Sequence, residues 1–306
     1  MSTSRDTFRA AVVTTPSGPD AIEIVDVPVR RPADGEVRVA VAAASVNPVD
    51  LAVSSGFFHS VGVISGDTPV GLGMDFAGTV LESGVGVDLA PGTRVAGVLP
   101  GFGHPTGAYA DEVVVPADAV AVVPESLDLV AAATVAINAL AAEQILDLLG
   151  EPGPGSDRLL VTGAAGVVGG YLLVLARHRG WDVTGLARPA DEEFVRGLGA
   201  GFLDRPQGGW PAVADAAAMQ EDALALVRDG GRLVGVMPGR APATERGITV
   251  EVVDSHADGR LGDLLELAAA GDLPVRVEGT LPLDRVADAQ KAAAKPGGRG
   301  RWVITP

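Results

Sequence analysis

The chain of 306 residues contains no cysteine. A chain without cysteine cannot form disulfides, thiolate zinc sites, cysteine-ligated iron–sulfur clusters or a cysteine nucleophile. The four histidines are scattered and lack the spacing of metal ligands: His59, His104, His178 and His256. We therefore expect no metal site.

Positive charge is scarce as well. The sequence has 23 basic and 39 acidic residues, a formal net charge of −16, and no local cluster of lysine and arginine offsets it. Such a surface repels phosphate backbones and anionic membranes, so we expect neither nucleic acid nor a membrane as partner. Residues 1–9 lack the apolar core of a signal peptide. The most apolar stretch, 129–142, is shorter than the roughly 20 residues of a membrane span, which favours a cytoplasmic protein.

Hydrophobic residues make up 47% of the chain and charged residues 20%, enough for a large core in two domains. The first third contains short runs rich in valine and isoleucine, such as 22–27, 36–43 and 76–82, separated by glycine and proline. Many short strands at close spacing predict a barrel-like, mostly antiparallel domain.

The pattern changes near Leu127, where alanine-rich helical segments begin to alternate with apolar runs suited to buried parallel strands. This alternation predicts a doubly wound parallel sheet, and hence an α/β protein. Residues 272–306 turn β-like again and are expected to rejoin the first domain. The predicted domains are therefore 1–126 with 272–306, and 127–271.

One predicted crossover is unusually short. Only a few residues, including Pro206, Gly208 and Gly209, separate the strands around 201–203 and 212–217. A parallel crossover normally needs a dozen or more residues, usually a helix. We predict a trimmed connection in which that helix is missing.

The strongest local motif follows the apolar strand 158–162 and leads into a helix. Its residues run Thr162-Gly163-Ala164-Ala165-Gly166-Val167-Val168-Gly169. Glycines permit a tight turn and let backbone N–H groups approach a diphosphate, while the helix N-terminus supplies partial positive charge. In this strand–turn–helix context the motif predicts a dinucleotide site, although glycine-rich turns also serve geometry alone.

About twenty residues later the second strand ends at Gly185-Leu186-Ala187-Arg188-Pro189. Proteins that bind NAD usually carry an acidic residue at this strand end for the ribose 2′-hydroxyl. A guanidinium suits a 2′-phosphate instead, so Arg188 favours NADPH over NADH. The alternative is that Arg188 is a solvated surface residue.

Taken together, six motifs in order resemble the medium-chain dehydrogenase/reductase superfamily, in its zinc-free quinone oxidoreductase-like branch. They are Ser45–Asp50, Gly73–Gly78, Gly92–Gly97, Gly107–Asp111, Gly163–Gly169 and Gly300–Ile304. The resemblance covers nearly the whole chain. It implies a GroES-like catalytic domain built from both chain ends, a Rossmann domain between them, a nicotinamide-binding cleft and a homodimer formed partly through the strand near 248–253.

The resemblance also implies a reaction without zinc. Zinc alcohol dehydrogenases of the superfamily carry cysteine where this chain has Asn47, and His-Glu where it has Met74-Asp75. Asn47 is expected to orient the nicotinamide carboxamide or the substrate carbonyl, with capping of the turn at Pro48 as the alternative.

Two further sets of residues are assigned to the site. Phe57 and Phe58 are expected to wall an apolar substrate pocket, core packing being the alternative for at least one of them. The remaining cofactor contacts are expected from Met219 and Met237.

The predicted function is NADPH-dependent hydride transfer to a quinone or α,β-unsaturated carbonyl compound. Two alternatives stay open. One is an enoyl or ene reductase acting on a polyketide-type intermediate. The other is a non-catalytic NADPH-binding protein, motivated by departures from the family pattern at Val135, Leu140 and Met219.

Overall fold

The computed structural model describes residues 6–66 and 69–306. These residues form two compact units. Unit 1 comprises the described residues up to Ile137, together with His256–Ala270 and Val275–Pro306. Unit 2 comprises Asn138–Ser255 and Gly271–Pro274.

These boundaries differ from those expected at 126/127 and 271/272. The first lies later, between Ile137 and Asn138. The sequence places segment 256–270 in the second domain, whereas the structure places it in unit 1. The reason is a packing contact, because the helix Leu261–Ala270 lies against the strand Val120–Val122 of unit 1.

The strands of the described residues are β1 Thr7–Val13, β2 Ile22–Pro28, β3 Glu36–Val46, β4 Val70–Gly71, β5 Asp75–Ser83, β6 Arg94–Val98, β7 Glu112–Pro116, β8 Val120–Val122, β9 Arg158–Thr162, β10 Asp182–Leu186, β11 Gly201–Leu203, β12 Trp210–Asp215, β13 Val227–Gly235, β14 Thr249–Val252, β15 Val277–Pro282 and β16 Arg301–Thr305. The α-helices are α1 Pro48–Ser54, α2 Phe57–Ser60, α3 Leu129–Ala132, α4 Ala136–Leu149, α5 Val167–His178, α6 Glu192–Gly197, α7 Glu221–Leu224, α8 Leu261–Ala270 and α9 Val286–Ala293.

Unit 1 is built from two mostly antiparallel sheets. One has the order β2-β1-β4; the other has the order β15-β16-β3-β5-β6-β8, with β7 also paired to β3. Strand β3 alternates buried and partly exposed side chains along its first half, as expected for a strand with one face on a core. The C-terminal strand β16 pairs with β3, Trp302 opposite Val46, which confirms that the chain end returns to the first domain.

Unit 2 contains one parallel sheet with the strand order β11-β10-β9-β12-β13-β14. Strands β9 and β12 are buried over nearly their whole length, as expected for a parallel sheet covered on both faces. Numbered along the chain, the order is 3-2-1-4-5-6, which confirms the predicted Rossmann fold. The order reverses between β9 and β12, and in such sheets ligands bind outside the carboxyl ends of the strands at this point.

The connection from β11 to β12 confirms the predicted trimmed crossover, since residues 204–209 contain no helix. Leu203 lies level with the carboxyl end of β12, so the chain must cross β10 and β9 and return to the start of β12. With strands about 4.8 Å apart and about 3.3 Å per residue, that path is roughly 22 Å long. Seven residue steps reach at most about 25 Å, so the connection has little slack.

The stretch Leu129–Leu149 is long and apolar enough to cross a membrane by length and composition. It is longer than the stretch 129–142 considered from the sequence, because α3 and α4 together reach Leu149. However, 72% of its most apolar 18-residue segment is buried inside the structure. One such helix is weak evidence for a membrane span, because core helices pass the same criterion.

Candidate functional site

The carboxyl edge of the unit 2 sheet brings most of the predicted cofactor residues together. Leu203, Leu186, Thr162, Asp215 and Gly235 lie in one row across neighbouring strands. The glycine-rich turn begins directly after this row on β9. Three further predicted residues follow its other strands within a few positions: Arg188 after β10, Met219 after β12 and Met237 after β13.

The glycine-rich turn requires glycine at two positions for different reasons. Gly163 has φ +59, a left-handed conformation that side chains with a Cβ rarely adopt. At Gly169, a Cβ would lie 2.2 Å from the carbonyl oxygen of Gly163. The helix therefore begins in direct contact with the turn, and only glycine permits this approach.

Helix α5 presents its N-terminus at this turn. It begins at Val167, so the first N–H groups have no acceptor within the helix and carry the positive end of its dipole. The basic residues Arg177 and His178 lie in its last turn, where positive charge is favourable. A compact glycine-lined cradle with helix amides beside it fits a diphosphate.

Arg188 lies on the surface and already holds a carboxylate. Its Nε donates to Asp191 Oδ2 at 2.8 Å, and the Arg188 side chain is 55% exposed while that of Asp191 is 1% exposed. A ligand phosphate at this position would therefore meet a guanidinium whose charge is partly balanced. The exposed position is consistent with both sequence interpretations of Arg188.

The turn 216–220, after β12, packs against the glycine-rich turn. A Cβ at Gly163 would lie 3.1 Å from the Cβ of Ala217. Met219 is half-buried and packs against the apolar cluster of unit 2, and Met237 is half-buried beyond β13. Met219 thus serves packing within unit 2, while its assignment to the cofactor stays a prediction.

This turn contains backbone strain at two residues that have a side chain. Ala218 has φ 54, and Gln220 has φ 59 with ψ −117. Non-glycine residues in such regions cost of order 1–3 kcal/mol each and persist only where the surroundings hold them.

Gln220→Gly is expected to raise the free energy of unfolding by about 1 kcal/mol, because relief of strain outweighs the added freedom of glycine in the unfolded chain. Urea denaturation measures the difference. Gln220→Ala is the matched control, because it removes the same side chain but keeps the Cβ. An equal increase in the free energy of unfolding of both variants would contradict the claim that the backbone is strained at this position.

Asn47 lies in unit 1 as part of a buried polar network. The side chain is 2% exposed, and its Nδ2 donates to Asp75 Oδ1 at 2.9 Å and to Ser45 Oγ at 3.0 Å. Its backbone N–H donates to Asp50 Oδ2 at 2.8 Å, at the start of α1. These contacts support the capping alternative, and the orienting role of Asn47 stays a prediction.

Two carboxyl groups of this network have raised pKa values. Burial and the nearby Asp50 raise the pKa of Asp75, against hydrogen bonds from Ser45 and Asn47, to about 7. Burial likewise raises the pKa of Asp50 to about 6, against hydrogen bonds from the Asn47 N–H and the Tyr109 hydroxyl. Tyr109 donates to Asp50 Oδ2 at 2.9 Å.

Phe57 and Phe58 lie on α2 in unit 1. Phe58 is 1% exposed and stacks on Phe102 with ring centroids 4.7 Å apart, so it is a core residue. Phe57 is half-buried and meets the Phe58 ring edge-on at 5.4 Å. A cavity of about 990 Å³ in the same unit is lined by apolar and charged residues of β1, β2, β7 and nearby loops, and includes neither Phe57 nor Phe58.

The sequence interpretation missed the extent of this network. Asp75 meets partners 28 and 30 residues away, and Tyr109 reaches Asp50 across 59 residues. Polar residues inside apolar strand patterns were the available signal, but only strand pairing identifies their partners. Among the described residues, no group of three or more His, Asp or Glu side chains is placed to hold a metal ion.

Comparison with known proteins adds a family description and relatives. Residues 33–125 match the alcohol dehydrogenase GroES-like domain. The chain is 35% identical over 194 residues to the 2-haloacrylate reductase of a Burkholderia species, a match covering 62% of this chain and 56% of that enzyme. It is 38% identical over 166 residues to the pikromycin polyketide synthase component PikAII of Streptomyces venezuelae, covering 54% of this chain and 4% of the synthase.

The solved structures agree with these relatives in fold. The quinone oxidoreductase from Coxiella burnetii superposes with a TM-score of 0.87 over 98% of this chain and 99% of that one, at 23% identity. A likeness at this identity shows the fold. The match to the Burkholderia reductase spans about half of that enzyme's length, so the similarity in sequence is partial.

Proposed function

This chain belongs to the medium-chain dehydrogenase/reductase superfamily, and from that premise we propose that it is a zinc-independent reductase that uses NADPH to transfer hydride to a quinone or an α,β-unsaturated carbonyl compound. The observation that carries the proposal is the glycine cradle of Gly163 and Gly169 at the point where the strand order reverses. When bound, a reduced nicotinamide supplies the hydride.

The residues of unit 2 divide the binding of the cofactor between them. The amides at the start of α5 hold the diphosphate, because they point out of the helix without internal acceptors. Arg188 holds the 2′-phosphate through charge-assisted hydrogen bonds. The turn 216–220 forms the opposite wall beside Gly163.

Zinc independence rests on the chemistry of the residues in unit 1. Asn47 and Asp75 are joined by a direct hydrogen bond in which the amide nitrogen of Asn47 is the donor. An amide nitrogen is a donor only, and this one directs its hydrogens to Asp75 and Ser45, so it offers no lone pair to a metal. Met74 beside them is a weak ligand for zinc, which prefers Cys, His and carboxylates.

The activity is tested by NADPH consumption with a quinone, a simple enone and a 2-haloacrylate as substrates. We expect turnover of at least one of them, with a saturated aldehyde as the control that stays unreduced. Tight NADPH binding without turnover of any compound would support the non-catalytic alternative instead.

A second candidate function is reduction of an enoyl thioester of polyketide type. It is favoured by the 38% identity to a segment of PikAII. A short 2-enoyl thioester added to the same assay separates the two candidates. Preference for the thioester over every quinone would replace the first proposal with the second.

Arg188→Ala is expected to raise the dissociation constant of NADPH about 10- to 100-fold while changing that of NADH less than about threefold, since a charge-assisted hydrogen bond contributes roughly 1.5–3 kcal/mol. Isothermal titration calorimetry measures both constants. Arg196→Ala is the matched control, because Arg196 is a similarly exposed arginine paired with Glu192 on α6. Equal losses for NADPH and NADH would refute the assignment of Arg188.

The expected homodimer and cytoplasmic location stay predictions. Strand β14 ends the described sheet and pairs there with β13, which leaves its outer edge available for a second chain. Sedimentation velocity on the purified protein tests the dimer.

A further inference from the structure

The turn 216–220 has two features that its own sequence does not favour. It must pass close to Gly163, with Ala217 in contact range of that glycine. It must also adopt left-handed backbone at Ala218 and Gln220, two residues with a Cβ. A strained turn persists only if neighbouring groups hold it.

Asp215 supplies that hold from both of its oxygens. Oδ1 accepts the Thr162 hydroxyl at 2.6 Å, and Oδ2 accepts the backbone N–H of Gln220 at 2.9 Å. The side chain is 2% exposed, so these hydrogen bonds are shielded from competing water. One carboxylate thus joins the residue before the glycine-rich turn to the end of the strained turn.

Thr162 completes the connection. Its Oγ1 donates to Asp215 and also accepts the backbone N–H of Ala217 at 3.2 Å. The hydroxyl and the carboxylate therefore fix the strained turn at two points, 217 and 220. Both points are on the segment that packs over Gly163.

We propose that Asp215 is a positioning residue that holds the strained turn 216–220 against the glycine-rich turn and so keeps the dinucleotide site in its binding shape. The inference rests on the proposed function, because the site it shapes is the proposed cofactor site. Asp215 touches no cofactor itself, since both oxygens face protein donors. Its effect is transmitted through Gln220 and Thr162.

The test compares Asp215→Ala, Gln220→Gly and the double variant with the wild type. Calorimetry gives the dissociation constant of NADPH, and thermal unfolding gives the stability of each protein. Asp215→Ala is expected to raise the dissociation constant about tenfold, because the turn relaxes away from Gly163. Gly is at ease at φ 59 and ψ −117, so adding Gln220→Gly is expected to restore binding to within about threefold of the wild type.

Restoration of NADPH binding by Gln220→Gly is the result that a merely structural role of Asp215 would not give. A lower melting temperature for Asp215→Ala with an unchanged dissociation constant would overturn the proposal. A weakened affinity that Gln220→Gly does not restore would overturn it too. If Asp215→Ala does not fold, Thr162→Val breaks the same connection from its other side and takes its place in the comparison.

Failure of the proposed function has a different signature. If the wild type itself binds neither NADPH nor NADH, the reductase proposal falls, and the positioning role falls with it. Wild-type binding together with normal binding by Asp215→Ala refutes the positioning role alone.

Discussion

Gly169→Ala is expected to weaken NADPH binding at least 100-fold while leaving the protein folded. The added Cβ would lie 2.2 Å from the Gly163 carbonyl oxygen and 2.9 Å from the Ala164 Cα. All of these are backbone atoms, so no side chain is available to swing aside. The start of α5 must retreat by about 1 Å to restore ordinary contact, and misplacements of that size cost on the order of 100-fold.

Gly166→Ala is the matched control within the same turn. Gly166 has φ −73, an ordinary conformation for alanine, and its Cβ would lie 3.1 Å from the same carbonyl oxygen. We expect less than about a fivefold change in the NADPH dissociation constant, since a shift of a few tenths of an ångström relieves this contact. Circular dichroism monitors folding of both variants. Similar affinity in the two variants would contradict the cradle as the diphosphate site.

Asp75→Asn is expected to remove a large part of the pH dependence of stability. The folded-state pKa of about 7 lies above the ordinary value of 3.8. Its contribution to stability is therefore fully present below about pH 4 and is lost as the pH rises to 7, because the unfolded carboxyl group ionises first. A difference of about three pKa units corresponds to roughly 4 kcal/mol. As the pH rises from 4 to 8, the free energy of unfolding of the variant is expected to increase by a few kcal/mol relative to that of the wild type.

The charged and titratable neighbours of Asp75 set the size of this effect. Asp50 raises the pKa of Asp75, Arg301 lowers it, and the Tyr109 hydroxyl lies in the same network. Urea unfolding across the pH range gives the free energy of unfolding as a function of pH. Hydrogen exchange of the β5 amides measures the stability of unit 1 separately. Asp118→Asn, at an exposed position, shows what loss of one surface charge does. Parallel profiles for the wild type and Asp75→Asn would contradict the raised pKa.

The glycine-rich turn could be predicted because its signal is contiguous. Strand, glycines and helix follow one another within 158–178, so local conformational rules identify the motif without any long-range pairing. The same holds for Arg188, which directly follows the end of β10. The row at the carboxyl edge then follows from parallel strands, whose ends meet at one edge of a sheet.

The polar network of unit 1 could not be predicted in the same way. Ser45 and Asp75 meet because β3 and β5 pair with a particular register, which includes two irregularities. A shift of one residue would turn either side chain to the other face of the sheet. The contact between Ser54 and Gln290 depends on the return of the chain end to unit 1.

The backbone strain at Ala218 and Gln220 could not be predicted from the sequence either. Alanine and glutamine do not favour left-handed backbone, so their identity predicts the opposite conformation. Only the pairing of β12 beside β9 brings Asp215 and Thr162 to the positions that enforce it. The break between α3 and α4 near 133–135 belongs to the same class, because an apolar alanine-rich run predicts one continuous helix.

The extended connection 204–209 has a mechanical consequence for unit 2. Because the connection has little slack, β11 cannot move away from the start of β12 without displacing the connection itself. Trp210, where the connection ends, is anchored by a hydrogen bond to Gln207 and by the Arg158 guanidinium over its ring. An outward displacement of β11 would therefore pull on the start of β12, the strand whose last residue accepts hydrogen bonds from Thr162 and Gln220 beside the glycine-rich turn.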